Sequence, residues 1–350
     1  MTIVKSKAVK IPVQETERIK KVLKEKNLIK SDLKIATTKK FSYIPIKESV
    51  KKLEFEVISF EFEENKKKIN SYKELLEIPD NIRDILPSSF DIIGEIALIK
   101  LQDELIPFKK KIGNAILKSI KNVKTICLIK PVKGEYRIRD IEIISGENNT
   151  ETIHREYGLD FFVDIKKTYF SPRLANERKR ISDLVKPGEV IVDMFTGVAP
   201  FPILISKFSN PKIIYAIDKN KDSIKYAKRN IRLNKAYDKI QQFNEDATEI
   251  KNIIPKTEVV NRVIMNLPFS SYDFFDCALS LCKKKLIIHY YEIIDENDIE
   301  NRKKDLETIA NKRDIKLNKI RIQKIKSYSP REFYICFDIT AKKKTNADVA

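Results

Sequence analysis

Apolar residues in the second half of the chain form short runs that alternate with longer segments of helical spacing. Residues 190–192, 212–217 and 260–265 are short runs and predict buried strands, while residues 202–208 and 223–234 between them have helical periodicity. Strands that alternate with helices predict a parallel sheet with helices packed on its faces. An α/β fold is therefore expected for this half of the chain.

The first half of the chain predicts two smaller α/β parts. Residues 14–27 have the spacing of a helix, and residues 55–62 alternate between apolar and polar side chains as a half-buried strand does. The charged run at 63–68 has no apolar periodicity and predicts a linker. We therefore expect three parts, at residues 1–66, 70–158 and 159–350.

In the second part, residues 71–86 predict a helix and residues 134–140 predict a strand. On that strand Arg137 and Arg139 are two residues apart, so their side chains should point to the same face. Farther along, Arg173 and Glu177 are four residues apart on a predicted helix that Pro172 opens. They could form a surface ion pair, or Glu177 could face a substrate.

Polar residues follow three of the predicted strands. Asp193 and Asp218 end the strands at 190–192 and 212–217, and Asn266, followed by Leu267 and Pro268, ends the strand at 260–265. In parallel sheets, ligands bind beyond the carboxyl ends of the strands. These residues therefore predict a nucleoside pocket. The alternative is an ordinary strand that happens to end in an acid.

The loop after the first of these strands separates the candidate cofactors. A dinucleotide fold uses a G-x-G-x-x-G turn to approach a pyrophosphate, whereas this loop has Gly197 and, two residues later, Ala199. S-adenosylmethionine has no phosphate, and it offers a ribose diol that Asp218 could hold. Its positively charged sulfonium favours nearby negative charge. We therefore expect S-adenosylmethionine as the cofactor.

The balance of charge points to a polyanion. The 350-residue chain has 69 Lys and Arg against 50 Asp and Glu, a formal net charge of +19 at pH 7. Such an excess favours nucleic acid as a partner, although a lysine-rich composition of a thermophilic kind is the alternative. The four cysteines contain no C-x-x-C pair and the chain has only two histidines, so we expect no metal site. No long apolar run is present, so we expect a cytoplasmic protein without a membrane segment.

Several motifs occur together in one order along the chain. They are GEYRIR at 134–139, YFSPR at 169–173, NER at 176–178, DMFTGV at 193–198, NLP at 266–268 and SYSPRE at 327–332. In this order they resemble the archaeal tRNA (guanine-37-N1)-methyltransferases, a family related to the wyosine-pathway enzymes. The resemblance covers nearly the whole chain. It implies a class I methyltransferase fold, Rossmann-like with seven strands, preceded by an RNA-binding domain and a detached N-terminal domain that contacts the tRNA elbow.

The resemblance also implies roles for residues. Glu177 would be the general base, Arg137 would steady guanine O6, and Asn266 with Pro268 would hold a base flipped out of the anticodon loop. The remaining positions fall into two sets. Expected cofactor contacts are Tyr169, Asp193, Phe195, Gly197, Asp218, Asp246 and Asn266, and expected RNA contacts are Arg139, Arg173, Arg178 and Arg331.

The expected reaction is methylation of N1 of the guanosine that follows the anticodon in tRNA, by a monomer. One position departs from the family, whose loop more often reads Gly-Val-Gly-Pro-Phe, because Ala199 replaces the second glycine. This departure keeps open an alternative. The chain could methylate carbon of the wyosine precursor 4-demethylwyosine at the same tRNA position, alone or alongside N1.

Overall fold

A computed structural model describes residues 3–47, 55–65, 71–130 and 140–344. The chain divides into two compact units, Met1–Leu75 and Leu76–Ala350. The strands of the described residues are β1 (Ile3–Pro12), β2 (Ala36–Thr37), β3 (Phe41–Pro45), β4 (Val57–Glu63), β5 (Asp91–Ile93), β6 (Ile96–Ile99), β7 (Thr125–Ile129), β8 (Ile141–Gly146), β9 (Glu151–Glu156), β10 (Leu159–Asp164), β11 (Val190–Asp193), β12 (Ile213–Ile217), β13 (Ile240–Phe243), β14 (Arg262–Met265), β15 (Lys285–Asp295), β16 (Ile315–Ser327) and β17 (Glu332–Lys343).

The helices follow the same order along the described residues. They are α1 (Thr16–Glu25), α2 (Asp80–Asp84), α3 (Lys109–Ser119), α4 (Ala175–Leu184), α5 (Pro200–Phe208), α6 (Lys221–Leu233), α7 (Ile250–Ile253), α8 (Phe275–Leu279) and α9 (Ile299–Asn311). In the described residues, no helix combines the length and apolar character needed to cross a membrane.

The first unit is a four-stranded antiparallel sheet in the order β2-β3-β1-β4, with α1 packed against it. Ile19 and Leu23 of α1 are buried because they share one face of the helix. On β4, Ile58 and Phe60 are half-buried and Phe62 is buried, as their alternation predicts. The first strand, β1, was not predicted, because its many lysines hide the apolar alternation.

The second unit is built on a seven-stranded sheet in the order β13-β12-β11-β14-β15-β17-β16. Strands β11 to β15 are parallel, and β17 pairs antiparallel with both β15 and β16. Both faces are covered by apolar clusters, which explains why β11 and β14 are buried at every position. The expected α/β class and seven-stranded sheet are confirmed.

A smaller sheet in the order β5-β6-β7-β8 precedes the seven-stranded sheet. Its Ile93, Ile96 and Cys127 belong to the same apolar cluster as residues of the large sheet. The hairpin of β9 and β10 follows, and the predicted boundary at 158 lies in its turn, where Tyr157 and Gly158 both have positive φ. The three-part division stays a prediction.

Two predictions for this region have different outcomes. The helix predicted at 71–86 is wrong, because the segment forms a 3-10 turn at Tyr72–Leu75 and the short α2. Pro79 interrupts the segment, since proline lacks the N–H that a continuous helix needs. The strand predicted at 134–140, with Arg137 and Arg139, lies outside the described residues except for Asp140.

Candidate functional site

The polar strand ends come together at one edge of the large sheet. Strands β12, β11 and β14 are adjacent and parallel, so Asp218, Asp193 and Asn266 lie at the same carboxyl edge. The structure therefore places three predicted site residues side by side. Their roles stay predictions.

The loop after β11 is fixed by backbone hydrogen bonds to both neighbouring strands. Met194 donates to the carbonyl of Ile264, and Thr196 donates to the carbonyl of Ile217. Gly197 has φ +55°, and a Cβ built there would meet only the Tyr169 carbonyl oxygen, at 3.7 Å. Glycine is thus favoured by its backbone conformation and leaves open space on one side of the loop.

Ala199 adopts the left-handed conformation that glycine would tolerate more easily. Its φ is 65° and its ψ is 39°, and it is the N-cap residue of α5 with no exposed surface. A non-glycine residue in this conformation costs roughly 1–2 kcal/mol. The loop therefore keeps a glycine-like backbone although the second glycine of the family pattern is absent.

Asp193 is a buried carboxylate without a hydrogen-bond partner. It has no exposed surface, and both of its carboxyl oxygens lack a partner, as does the buried Thr196 hydroxyl beside it. Burial raises the pKa of Asp193 to about 7, and the nearby Asp218 charge adds to this. An unpaired buried carboxylate at a strand end fits a ligand with a positively charged group.

Asp218 connects the two loops at this edge. Its Oδ2 accepts a hydrogen bond from the Gly197 N–H at 2.7 Å, and its Oδ1 accepts one from the Asn220 N–H at 2.9 Å. Burial raises the pKa of Asp218, while these two N–H groups act in the opposite direction. Each oxygen has a second lone pair, so the carboxylate can also accept from a diol.

Asp246, after β13, is half-buried and caps the following turn. It accepts hydrogen bonds from the Thr248 N–H and hydroxyl, both at 2.9 Å, and pairs with Lys219 at 3.2 Å. The Thr248 N–H is the main cause that lowers the pKa of Asp246. Its position at the end of the third parallel strand is compatible with the predicted adenine contact.

The NLP segment after β14 is held on two sides. The Asn266 amide oxygen accepts a hydrogen bond from the Tyr334 hydroxyl, and the Pro268 carbonyl accepts one from the Ile293 N–H at 2.8 Å. Phe269, 55% exposed, meets Tyr328 edge-on at 5.6 Å between ring centroids. Two exposed aromatic rings therefore flank the predicted base-binding segment.

Glu177 lies on α4 and is buried, with 4% of its surface exposed. Its Oε1 accepts from Arg180 Nη2 at 2.7 Å and from the Tyr291 hydroxyl at 2.6 Å, and its Oε2 accepts from Arg180 Nε at 2.7 Å. The alternative of a surface pair with Arg173 is wrong, because Arg173 pairs instead with Asp91 at 2.5 Å. Residues 172–174 form a 3-10 turn, so Arg173 is out of phase with the α-helical Glu177.

A chain of charged and polar side chains continues behind Glu177, in which Arg180 and Asp338 are half-buried and His289 is buried. Arg180 also pairs with Asp338 at 2.6 Å, Asp338 meets His289 Nδ1 at 2.5 Å, and His289 Nε2 lies 2.6 Å from Arg262. His289, Cys336 and Asp338 are close enough to hold a metal ion, but the guanidinium groups of Arg180 and Arg262 already contact this cluster. The chain fixes Arg180 and thereby the orientation of Glu177.

The residues predicted to contact RNA are in different environments. Arg331 is exposed in the turn between β16 and β17, and Arg173 is exposed but paired. The prediction that Arg178 contacts RNA is wrong. Arg178 is 1% exposed, and its guanidinium donates two hydrogen bonds to Glu156 and one to the Ser171 carbonyl. A buried, paired guanidinium is not a surface group for RNA. Arg137 and Arg139 lie outside the described residues.

Two predicted cofactor contacts remain. Tyr169 is 45% exposed, and its carbonyl faces the Gly197 position, while Phe195 is half-buried and packs edge-on against Phe274 at 5.0 Å. Sequence reasoning missed Arg180, Tyr291 and Tyr334, which contact Glu177 or Asn266. Alternation along β15 and along β17 is the one sequence signal that could have shown which face of its strand each tyrosine occupies. It could not have shown that Tyr291 and Tyr334 contact site residues.

The chain is similar to known proteins over nearly its whole length. Residues 152–318 match the TRM5/TYW2 methyltransferase domain, residues 72–150 the TYW2 N-terminal domain, and residues 8–54 the tRNA methyltransferase 5 N-terminal domain. It is 39% identical over 333 residues to the tRNA (guanine(37)-N(1))-methyltransferase Trm5b of Pyrococcus abyssi, covering 95% of this chain and 98% of the relative.

Two solved structures extend this similarity. The complex of aTrm5 and tRNALeu has a TM-score of 0.80 at 35% identity, covering 96% of this chain and 99% of the other. The Methanocaldococcus jannaschii TYW2 in complex with AdoMet has a TM-score of 0.56 at 27% identity, covering 73% of this chain and 100% of the other.

Proposed function

Because the chain belongs to the TRM5/TYW2 methyltransferase family, we propose that it methylates N1 of the guanosine at position 37 of tRNA, with S-adenosylmethionine as donor. One observation carries this proposal. The buried Glu177 is linked through Tyr291, and the neighbouring Tyr334, to Asn266 at the carboxyl edge of the sheet. This link supports Glu177 as the base that acts on a guanine held by Asn266.

The donor fits the polar strand ends. Asp193 supplies an unpaired buried carboxylate for a positively charged group, and Asp218 retains acceptor positions for a ribose diol. Tyr169, Phe195, Gly197 and Asp246 line the same edge in this proposal. When bound, the donor supplies a methyl group on a sulfonium, and the rest of the donor leaves as a neutral thioether. The described residues supply the binding and orientation.

The proton on guanine N1 has to leave as the methyl group arrives, and Glu177 is the proposed acceptor. Arg180 and Tyr291 occupy both acceptor positions of its Oε1, whereas Oε2 accepts, among the described residues, only from Arg180 Nε. Oε2 therefore has a free lone pair for the N1 proton. Arg137 would meet the charge that develops on O6, and Asn266 with Pro268 would hold the base.

The proposed partner surface includes more than the anticodon loop. The net charge of +19 suits a large polyanion, and residues 8–54 match a domain of tRNA methyltransferase 5. We propose that the first unit contacts the tRNA elbow while the second unit holds the anticodon loop. The proposal also includes a cytoplasmic monomer, which light scattering of the purified protein would test.

Mass spectrometry of nucleosides tests the function directly. Unmodified tRNA and tRNA carrying 4-demethylwyosine at position 37 are each incubated with the enzyme and the methyl donor. N1-methylguanosine from the first tRNA is the expected product. A methylated wyosine from the second tRNA, with no N1-methylguanosine from the first, would replace the proposal with the carbon-methylation alternative. No product from either tRNA would contradict both.

A further inference from the structure

Two buried tyrosines connect the candidate base-binding residues. In the pairing of β15 with β17, Tyr291 lies opposite Cys336 and Tyr334 lies opposite Ile293. The two tyrosines are therefore diagonal neighbours on one face, with ring centroids 5.8 Å apart. Each hydroxyl donates to a different site residue, Tyr291 to Glu177 and Tyr334 to Asn266.

The hydrogen bond from Tyr334 fixes the orientation of the Asn266 side-chain amide. Rotation of an asparagine amide by half a turn exchanges the positions of its acceptor oxygen and its donor nitrogen. Asn266 Oδ1 is the only acceptor that the Tyr334 hydroxyl reaches among the described residues. Tyr334 is 4% exposed, so rotation of the amide would leave its O–H buried without an acceptor.

The other end of the amide is unpaired. Asn266 Nδ2 forms no hydrogen bond with any of the residues that the structure describes, and Asn266 is half-buried at the carboxyl edge of the sheet. Burial raises the pKa of Tyr334 well above its usual value, so the phenol remains a donor over the working pH range. The amide therefore has a donor left for a ligand.

We propose that Tyr334 is a positioning residue that fixes Asn266 with its N–H toward the target base, so that the site selects a purine with a 6-oxo group. This inference rests on the proposed function and deepens it. An asparagine amide could instead use its oxygen to accept a hydrogen bond from an exocyclic amine of the base. Here the Tyr334 hydroxyl already occupies one acceptor position of Asn266, which opposes that use and favours donation to O6.

Binding of two tRNAs tests the proposal in the full chain. One tRNA carries guanine at position 37 and the other carries 2,6-diaminopurine, which has an amino group in place of the 6-oxo group. Their dissociation constants are measured by fluorescence anisotropy in the presence of S-adenosylhomocysteine. The wild type should prefer guanine, and Tyr334→Phe should reduce this preference about three- to tenfold, the effect of one neutral hydrogen bond.

Tyr290→Phe is the matched control. It removes the hydroxyl of a buried tyrosine on the neighbouring strand β15, one that donates to Glu292 and not to a residue of the candidate site, and it leaves the Tyr334–Asn266 hydrogen bond. The preference for guanine over 2,6-diaminopurine should therefore stay at the wild-type ratio. Asn266→Asp provides a second variant, independent of whether Tyr334→Phe folds. A carboxylate cannot donate, so Asn266→Asp should reduce the preference for guanine, while the contacts proposed for Arg137 and Glu177 would keep part of it.

The outcomes separate this inference from the proposed function. A wild-type ratio in folded Tyr334→Phe, or an unchanged preference in Asn266→Asp, would overturn the role of Tyr334. An equal loss in Tyr290→Phe would assign the effect to general packing and overturn it as well. Failure of the wild type to form N1-methylguanosine would instead contradict the proposed function.

Discussion

At the scale of single residues, Asp193 couples the stability of the chain to pH. Its pKa is about 7 in the folded chain against 3.8 for an ordinary aspartate. Because the folded value is the higher one, protonated Asp193 favours folding fully below pH 3.8, and this contribution is lost as the pH rises through about 7. A donor with a positive group would offset the loss by pairing with the carboxylate.

Asp193→Asn should therefore stabilise the chain without donor, increasingly so as the pH rises from about 4 to 7. The gain in the free energy of unfolding is on the order of 1–4 kcal/mol at pH 8 and levels off there. Urea denaturation at several pH values measures it. The same variant should bind S-adenosylmethionine more weakly at pH 8. A stability difference that does not change with pH would contradict the orphaned carboxylate.

A substitution of Asp218 tests its predicted contact with the ribose of the donor. Asp218→Ala removes a diol acceptor and the bond to the Gly197 N–H, so donor affinity should fall by roughly 1–3 kcal/mol. Calorimetry with S-adenosylmethionine measures the change. Asp222→Ala is the control, because Asp222 is an exposed acid in the first turn of α6. Equal affinity in the two variants would remove Asp218 from the cofactor site.

A substitution of Glu177 tests its predicted role as general base. Glu177→Gln keeps the size and an acceptor oxygen for Tyr291 but loses basicity, so single-turnover methyl transfer should fall by about 10²–10⁴-fold. Donor and tRNA affinity should change only slightly. Asp183→Asn is a matched control on the same helix, since Asp183 is exposed and pairs only with Lys179. A near-normal rate in Glu177→Gln would make Glu177 a buried structural partner of Arg180.

At the scale of elements, the Arg178–Glu156 pair joins α4 to the β9–β10 hairpin. Both side chains are nearly inaccessible, with 2% and 3% exposed. Because α4 also carries Glu177, this pair fixes the helix that presents the candidate base. Its neighbour Arg180 extends the contact from α4 to Asp338 on β17. The helix is thus held by a buried ion pair on one side and by a half-buried ion pair on the other.

Arg178→Met should be strongly destabilising. It leaves Glu156 buried without its partner, a change that typically costs about 3–5 kcal/mol. Arg173→Met, which removes an exposed pair with Asp91, should cost at most about 1 kcal/mol. Urea denaturation compares the two variants. If Arg178→Met instead lowers tRNA affinity at unchanged stability, Arg178 is an RNA contact after all.

At the scale of the whole molecule, we expect the two compact units to have separate roles in the proposed reaction. The unit Leu76–Ala350 has its own apolar clusters and contains every described residue of the candidate site. The unit Met1–Leu75 has a separate core. Chemistry and donor binding should therefore depend on the second unit, and selection of intact tRNA on the first.

A chain that begins at Leu76 should bind S-adenosylmethionine with nearly full affinity. It should lose the preference of the full chain for intact tRNA over an anticodon stem-loop, measured as the ratio of the two dissociation constants. Calorimetry with the donor shows whether the shortened chain is folded. If a folded, shortened chain discriminates as well as the full chain, the first unit has no role in tRNA selection.

The site itself was predictable only where its geometry follows from local pattern. Asp193, Asp218 and Asn266 each end an apolar run, and parallel pairing alone brings such ends to one edge. The partner of Glu177 was not predictable in this way. Positions three and four residues away on a helix are both neighbours, and the 3-10 turn at Pro172–Leu174 decides between them.

The sequence by itself therefore determined the parallel sheet, the polar residues at its carboxyl edge and the order of the motifs, because these depend on periodicity and spacing. The tertiary structure decided which charges are buried and what each one pairs with. Tyr291 reaches Glu177 across 114 residues of chain, and Arg180 reaches Asp338 across 158. Pairings over such separations are set by how helices and strands pack, since desolvation in the packed core selects the partner of each buried charge.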